Sequence, residues 1–162
     1  LLLQKNNIMK KLANILIPIF ICFLVGLTAN FFQSTSIHEW YPHLNKPSLT
    51  PPNIVFPIAW TFLYICMGLS IGLIISSKSS EKKNMIWLFI IQLFFNFSWS
   101  ILFFYLRNPL WGLANIIILD IAVIYYTCKS FKINKISSAL FFPYILWLIF
   151  ATYLNLYIFW YN

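Results

Sequence analysis

The residues able to do chemistry in this chain are aromatic and amide side chains repeating at helical spacing. Trp60 and Tyr64 are four apart and share a helix face. Asn96, Trp99, Ser100 and Phe103 fall at steps of three, four and seven from the first, again a single face. Tyr144, Trp147, Ala151, Leu154 and Asn155 follow the same rule, and Asp120 stands alone with Asn115 five residues before it. A wall of indole, phenol and apolar groups with few charges suits a flat hydrophobic ligand. It offers no nucleophile and no acid–base pair. Neither a Ser-His-Asp set, nor HExxH, nor a P-loop, nor GxGxxG occurs.

The same residues must be weighed as plain packing. Trp and Tyr near span ends anchor a chain at the membrane interface, which accounts for Trp87, Trp111, Trp160 and Tyr161. Trp60, Trp99 and Trp147 sit deeper, where an indole N–H wants a partner, so these three are expected to face protein or a cavity. Asn96 and Asn155 would also serve as interhelical glue. Asp120 is costly in lipid and must face the interior, in a structural or a functional role. His38 and His43 read as polar contacts at headgroup level, with ligation of a metal or haem iron as the alternative. No metal site is assigned.

The elements that must position these groups are membrane helices. Of 162 residues, 61% are hydrophobic and only 9% charged, with a mean hydropathy of +0.81. A soluble domain carries about 25% charged residues. Five segments reach the roughly 20 apolar residues that span a bilayer core. They run near 12–32, 54–75, 85–106, 109–128 and 136–160. Nothing alternates as barrel strands do, so the fold expected is an all-α integral membrane bundle of five transmembrane helices. Residues 10–162 form one domain, and residues 1–9 a tail of doubtful start, with Met9 as a candidate first residue. The apolar run after Lys10-Lys11 is too long for a signal-peptide core and reads as a retained span.

The net charge of +8 would suggest nucleic acid in a soluble protein, but these cations cluster between apolar runs and act as topology signals. Nucleic acid is excluded as a partner. Lys5, Lys10, Lys11, Lys78, Lys82, Lys83, Lys129, Lys132 and Lys135 fall on one side, against Lys46 and Arg107 on the other. The N-terminus is therefore expected in the cytoplasm and the C-terminus outside, in the cell membrane. Cys22, Cys66 and Cys128 lie in or at the ends of apolar runs without CxxC spacing and read as small hydrophobes. The one long connection is expected from Gln33 to Asn53. Pro18, Pro57 and Pro143 are expected to kink their helices and open space between them, whereas Pro109 starts one.

The run Trp40-Tyr41-x-x-Leu44-x-Lys46-Pro47-Ser48-x-x-Pro51-Pro52, then Pro57-x-x-Trp60 and Leu63-Tyr64, strongly resembles the TspO/MBR family. These are tryptophan-rich sensory proteins, relatives of the translocator proteins or peripheral-type benzodiazepine receptors. The likeness continues through Asn96-x-x-Trp99-Ser100-x-x-Phe103-Phe104 and Asp120 to Pro143-Tyr144-x-x-Trp147-x-x-Phe150-Ala151-x-x-Leu154-Asn155, from about residue 10 to the end.

The resemblance implies a five-helix membrane bundle, often a homodimer, with a ligand pocket beneath the first loop. It implies a porphyrin-type ligand, protoporphyrin IX or haem, and no required cofactor. The family's pocket residues carry over to Tyr41, Pro51, Trp60, Asn96, Ser100, Trp147 and Ala151, to which the helical faces add Tyr64, Trp99 and Leu154. Trp60 and Trp147 match the pair tied to light-dependent porphyrin degradation, which would make them the catalytic residues. Sensing or regulation by porphyrin is the expected role; light-driven degradation and transport of porphyrin or lipid are the alternatives. Leu154-x-x-Tyr157 continues to Asn162 without a cation, so the animal sterol segment is incomplete and porphyrin is preferred to cholesterol.

Overall fold

Five long helices make up the computed structural model, which describes residues 2–162, with side chains from Asn7 onward. Leu1 and the side chains of residues 2–6, part of the tail set aside above, lie outside the described residues. The helices are α1 (Leu2–Glu39), α2 (Val55–Ser76), α3 (Lys82–Trp99), α4 (Pro109–Phe131) and α5 (Lys135–Tyr161). Each holds a stretch long and apolar enough to cross a bilayer. Leu12, Phe20, Leu27, Ile121, Phe142 and Trp160 are among the many large apolar side chains left exposed around the outside. Lipid is the solvent that makes such a surface stable.

Helices consecutive in the chain run antiparallel. Their contacts order them around the bundle as α1, α2, α5, α4, α3, with α3 closing back on α1 in parallel. Two ends result. The Lys-rich end holds the α2–α3 and α4–α5 turns, and the loop end holds the α1–α2 connection and the start of α4. Local chemistry sets the boundaries. Asn108 accepts a hydrogen bond from the Trp111 N–H with Pro109 just inside, and Asn134 accepts one from the Ser137 N–H.

Two expectations are corrected. First, α1 does not stop near Phe32 but runs to Glu39, so the first connection is shorter than the expected Gln33–Asn53. Gln33 to His38 holds no Gly or Pro to break a helix; the chain turns only as Pro42 approaches, through a 3₁₀ turn at Tyr41–His43. Second, Pro57 lies in the first turn of α2, where its missing N–H costs nothing, so it forces no kink. Pro18 and Pro143 do lie inside their helices.

Beyond Trp99, α3 continues as a π-helical segment, Ser100–Tyr105, in which the Leu106 N–H reaches back five residues to the Ile101 carbonyl at 2.8 Å. Arg107 follows in the left-handed region at φ 51°.

Packing differs between the two ends. A Cβ added at Gly68 would sit 2.6 Å from the Ile19 Cα, and one at Gly72 would sit 2.7 Å from the Asn14 carbonyl. At the Lys-rich end α1 and α2 thus touch backbone to backbone, as small residues allow in membranes. Asn14 adds a hydrogen bond to Ser76 at 3.2 Å. Deeper in that half, Ser70, Tyr126 and Ser137 form a buried hydroxyl cluster. Fully buried Gln92 is the exception: neither of its amide atoms has a partner among the described residues.

Candidate functional site

Toward the loop end the helices part around a cavity of about 530 Å³. That lies within the range of about 300–1,000 Å³ usual for small-molecule sites. Its aromatic wall comes from α2 and α5. The Trp60 and Trp147 rings meet edge to face with centroids 6.5 Å apart, and Trp60 also lies 5.4 Å from Tyr64 and 6.1 Å from Tyr144. Phe56 closes on Trp147 at 5.9 Å. Neither the Trp60 nor the Trp147 N–H donates to a protein group among the described residues, and both rings line the cavity.

The α3 wall is held rigidly. The Trp99 N–H donates to the Asn155 Oδ1 at 3.0 Å, and the ring stacks on Phe103 at 5.1 Å and 12°. Asn155 is fixed in turn by donating to the Pro109 carbonyl at 2.8 Å. Asn96 donates to the Tyr144 hydroxyl at 2.7 Å and accepts from Tyr64 at 3.4 Å, which ties α3 to α5 and α2. The π-helical segment keeps Ser100, Phe103 and Phe104 all buried toward the bundle interior. Such a segment inside a helix often marks a functional site.

The roof is the 3₁₀ turn. Tyr41 is buried against Phe104 at 5.6 Å, and burial pushes its phenol above the usual pKa. The Lys46 ammonium sits 4.5 Å over the Tyr41 ring and donates to the Tyr41 carbonyl at 3.0 Å. Asn45 ties the loop to the end of α5 through Asn162 at 2.8 Å and Tyr161 at 3.0 Å.

Of the residues singled out in the sequence, Tyr41, Trp60, Tyr64, Asn96, Trp99, Ser100, Trp147, Ala151 and Leu154 all line this one cavity. Pro51 does not; it is half-buried in the loop. Asp120 lies apart on the α4–α5 seam, where its carboxylate accepts from the Thr152 hydroxyl at 2.8 Å. Asn115 donates to the Phe95 carbonyl at 2.8 Å and accepts from Ser98, an α3–α4 tie outside the cavity. His38 is on the rim, whereas His43 is not among the lining residues.

Sequence reasoning missed the α1 wall. Phe23, Gly26, Asn30, Gln33, Ile37 and His38 line the cavity along one face. The signal was available: Asn30, Gln33, Ser34 and His38 are polar residues at helical spacing beside an apolar span.

The TspO/MBR family profile matches residues 18–161. A tryptophan-rich protein TspO of Archaeoglobus fulgidus is 40% identical over 149 residues, 92% of this chain and 94% of that protein. A protein of the same description in Chlorobaculum tepidum is 34% identical, covering 90% of this chain and 94% of its own length. The human translocator protein is 31% identical over 77% of this chain and 78% of its own. With five helices fit to span a bilayer, this is a multi-pass membrane protein, and the likeness runs through every helix that builds the cavity. The chain belongs to the TspO/MBR family.

Proposed function

We propose that this protein binds a tetrapyrrole such as protoporphyrin IX or haem in the loop-end cavity and acts as a sensor or regulator of porphyrin or stress responses. The observation that carries this reading is the set of unspent indoles. Trp60 and Trp147 face a cavity of about 530 Å³, beside rings that can stack on a flat macrocycle. Four of the five remaining family residues fit the same ligand: Tyr41 roofs the cavity and Asn96, Ser100 and Ala151 line it, while Pro51 stays outside in the loop. No cofactor is required for binding. The protein resides in the cell membrane with its N-terminus in the cytoplasm, a reading supported by the lysines gathered at one end. The homodimer is proposed from the family resemblance alone.

Titration of the purified protein with protoporphyrin IX, followed at the Soret band, tests the proposal. A saturable shift at micromolar porphyrin is expected, and its absence overturns the reading.

The Trp60–Trp147 contact favours a second reading, in which bound porphyrin is degraded under light beside oxidisable indoles. In Trp60→Phe/Trp147→Phe the stacking surface is largely kept while the indoles are removed. Loss of protein-dependent bleaching in that variant, with binding retained, supports turnover. Bleaching at the wild-type rate excludes the pair.

A further inference from the structure

The cavity has two chemically different ends. Its deep end is aromatic: Trp60, Tyr64, Trp99 and Trp147 supply the surface. Its rim along α1 is amide and imidazole, from Asn30 and Gln33 to His38, and Asn53 of the loop lines the same cavity. Asn30, His38 and Asn53 are exposed, so the rim is the open side.

The rim is also free of carboxylates. The chain has three acidic residues, Glu39, Glu81 and Asp120, and none lines the cavity. Glu39 is paired with Arg107 at 3.1 Å. Asp120 is bonded to Thr152 on the α4–α5 seam, and Glu81 lies at the Lys-rich end before α3. Positive charge is near instead: the Lys46 ammonium stands 4.5 Å over the ring of Tyr41, a residue that lines the cavity. The Gln33 amide donates to the Asn30 side-chain Oδ1 at 3.5 Å, and the Asn30 NH₂ donates to no protein group among the described residues. His38 has an N–H to offer whether neutral or charged.

We infer that the α1 rim, Asn30, Gln33 and His38, is a binding site for carboxylate groups on one edge of the ligand. An acidic flat ligand therefore lies with its apolar body among the tryptophans and its acid edge at the loop end. The inference rests on the tetrapyrrole reading above and deepens it to an orientation of the ligand in the cavity. Donors with no competing carboxylate hold an anionic oxygen through charge-assisted bonds, which are stronger than neutral ones.

Protoporphyrin IX and its dimethyl ester share one macrocycle and differ in the acids. Both are titrated against the wild type and against Asn30→Asp and His38→Leu, followed by tryptophan fluorescence quenching. Partition of each porphyrin into detergent cancels when wild type and variant are compared. Asn30→Asp is nearly isosteric and puts a carboxylate where the acid edge would lie. It is expected to weaken the diacid about tenfold while the ester stays within about twofold. His38→Leu is expected to move the diacid in the same direction by less. Retained ester binding certifies that each variant is folded. Equal effects on diacid and ester, or no effect on either, overturn the acid rim while leaving tetrapyrrole binding intact. If the wild type binds neither porphyrin, the functional reading falls and the rim with it.

Discussion

Tyr41 joins the roof of the cavity to the charge above it. Its phenol is buried against Phe104 and its carbonyl is held by Lys46, so ionising the ring would put an anion in a desolvated place. Its pKa is raised in the folded state. The stability it contributes is therefore fully present below the unfolded value of about 10 and is lost as pH rises through the folded value. Thermal unfolding in detergent is expected to be flat from neutral to mildly alkaline pH and to fall above about pH 10, with Tyr41→Phe removing part of the fall. An unchanged alkaline limb in Tyr41→Phe would remove Tyr41 as its source. Trp99 shows the other use of an aromatic residue. Its indole looked equivalent to Trp60 and Trp147 by depth in the sequence, yet its N–H is spent on Asn155. Sequence cannot separate the two cases, because helical spacing gives the face but not the partner across it.

At the scale of the helix, α1 and α2 depend on two glycines. A Val at Gly72 would drive its Cβ against the Asn14 carbonyl and the Ile15 backbone, neither of which can rotate away. Overpacking of this kind costs about 1–3 kcal/mol. Gly72→Val is expected to lower the midpoint of thermal unfolding while the Trp60–Trp147 wall, toward the loop end of α2 and α5, keeps its near-UV signature. No loss of stability would mean that α1 sits away from α2 in solution. The five spans themselves were legible, since lipid demands about 20 apolar residues per helix and the lysines break the runs. The close approach at Gly68 and Gly72 was not, because an apolar helix in lipid carries no hydrophobic stripe to name its neighbour. The π-helical end of α3 was equally hidden: Ser100 to Tyr105 contain no Pro or Gly to announce it.

Across the whole molecule, the cavity is assembled from α1, α2, α3, α4, α5 and the loop together, so a ligand there binds only the folded bundle. Occupancy must then stabilise all five helices by mass action. At about 100 times the dissociation constant the gain is about 2.7 kcal/mol. A protoporphyrin concentration series is expected to raise the unfolding midpoint continuously. A midpoint that ignores concentration while the Soret band saturates would place the porphyrin on the detergent-facing surface. The walls from α2, α3 and α5 were legible as aromatic and amide faces, each carried by one helix. The ring order α1, α2, α5, α4, α3 and the polar edge of α1 emerge only when the helices are set side by side.

The unequal fastening of α1 gives the protein a mechanical asymmetry. At the Lys-rich end the helix is clamped, backbone on backbone, by Gly68 and Gly72. At the loop end it is held by side chains instead: Ser36 donates to the Phe104 carbonyl at 2.7 Å, Arg107 holds Glu39, and Phe32 meets Phe97 and Tyr105 edge to face. A backbone grip fixes one helix against another, whereas side-chain contacts re-pack by changing rotamer. Any change in the width of the cavity wall along α1 therefore falls to its loop end.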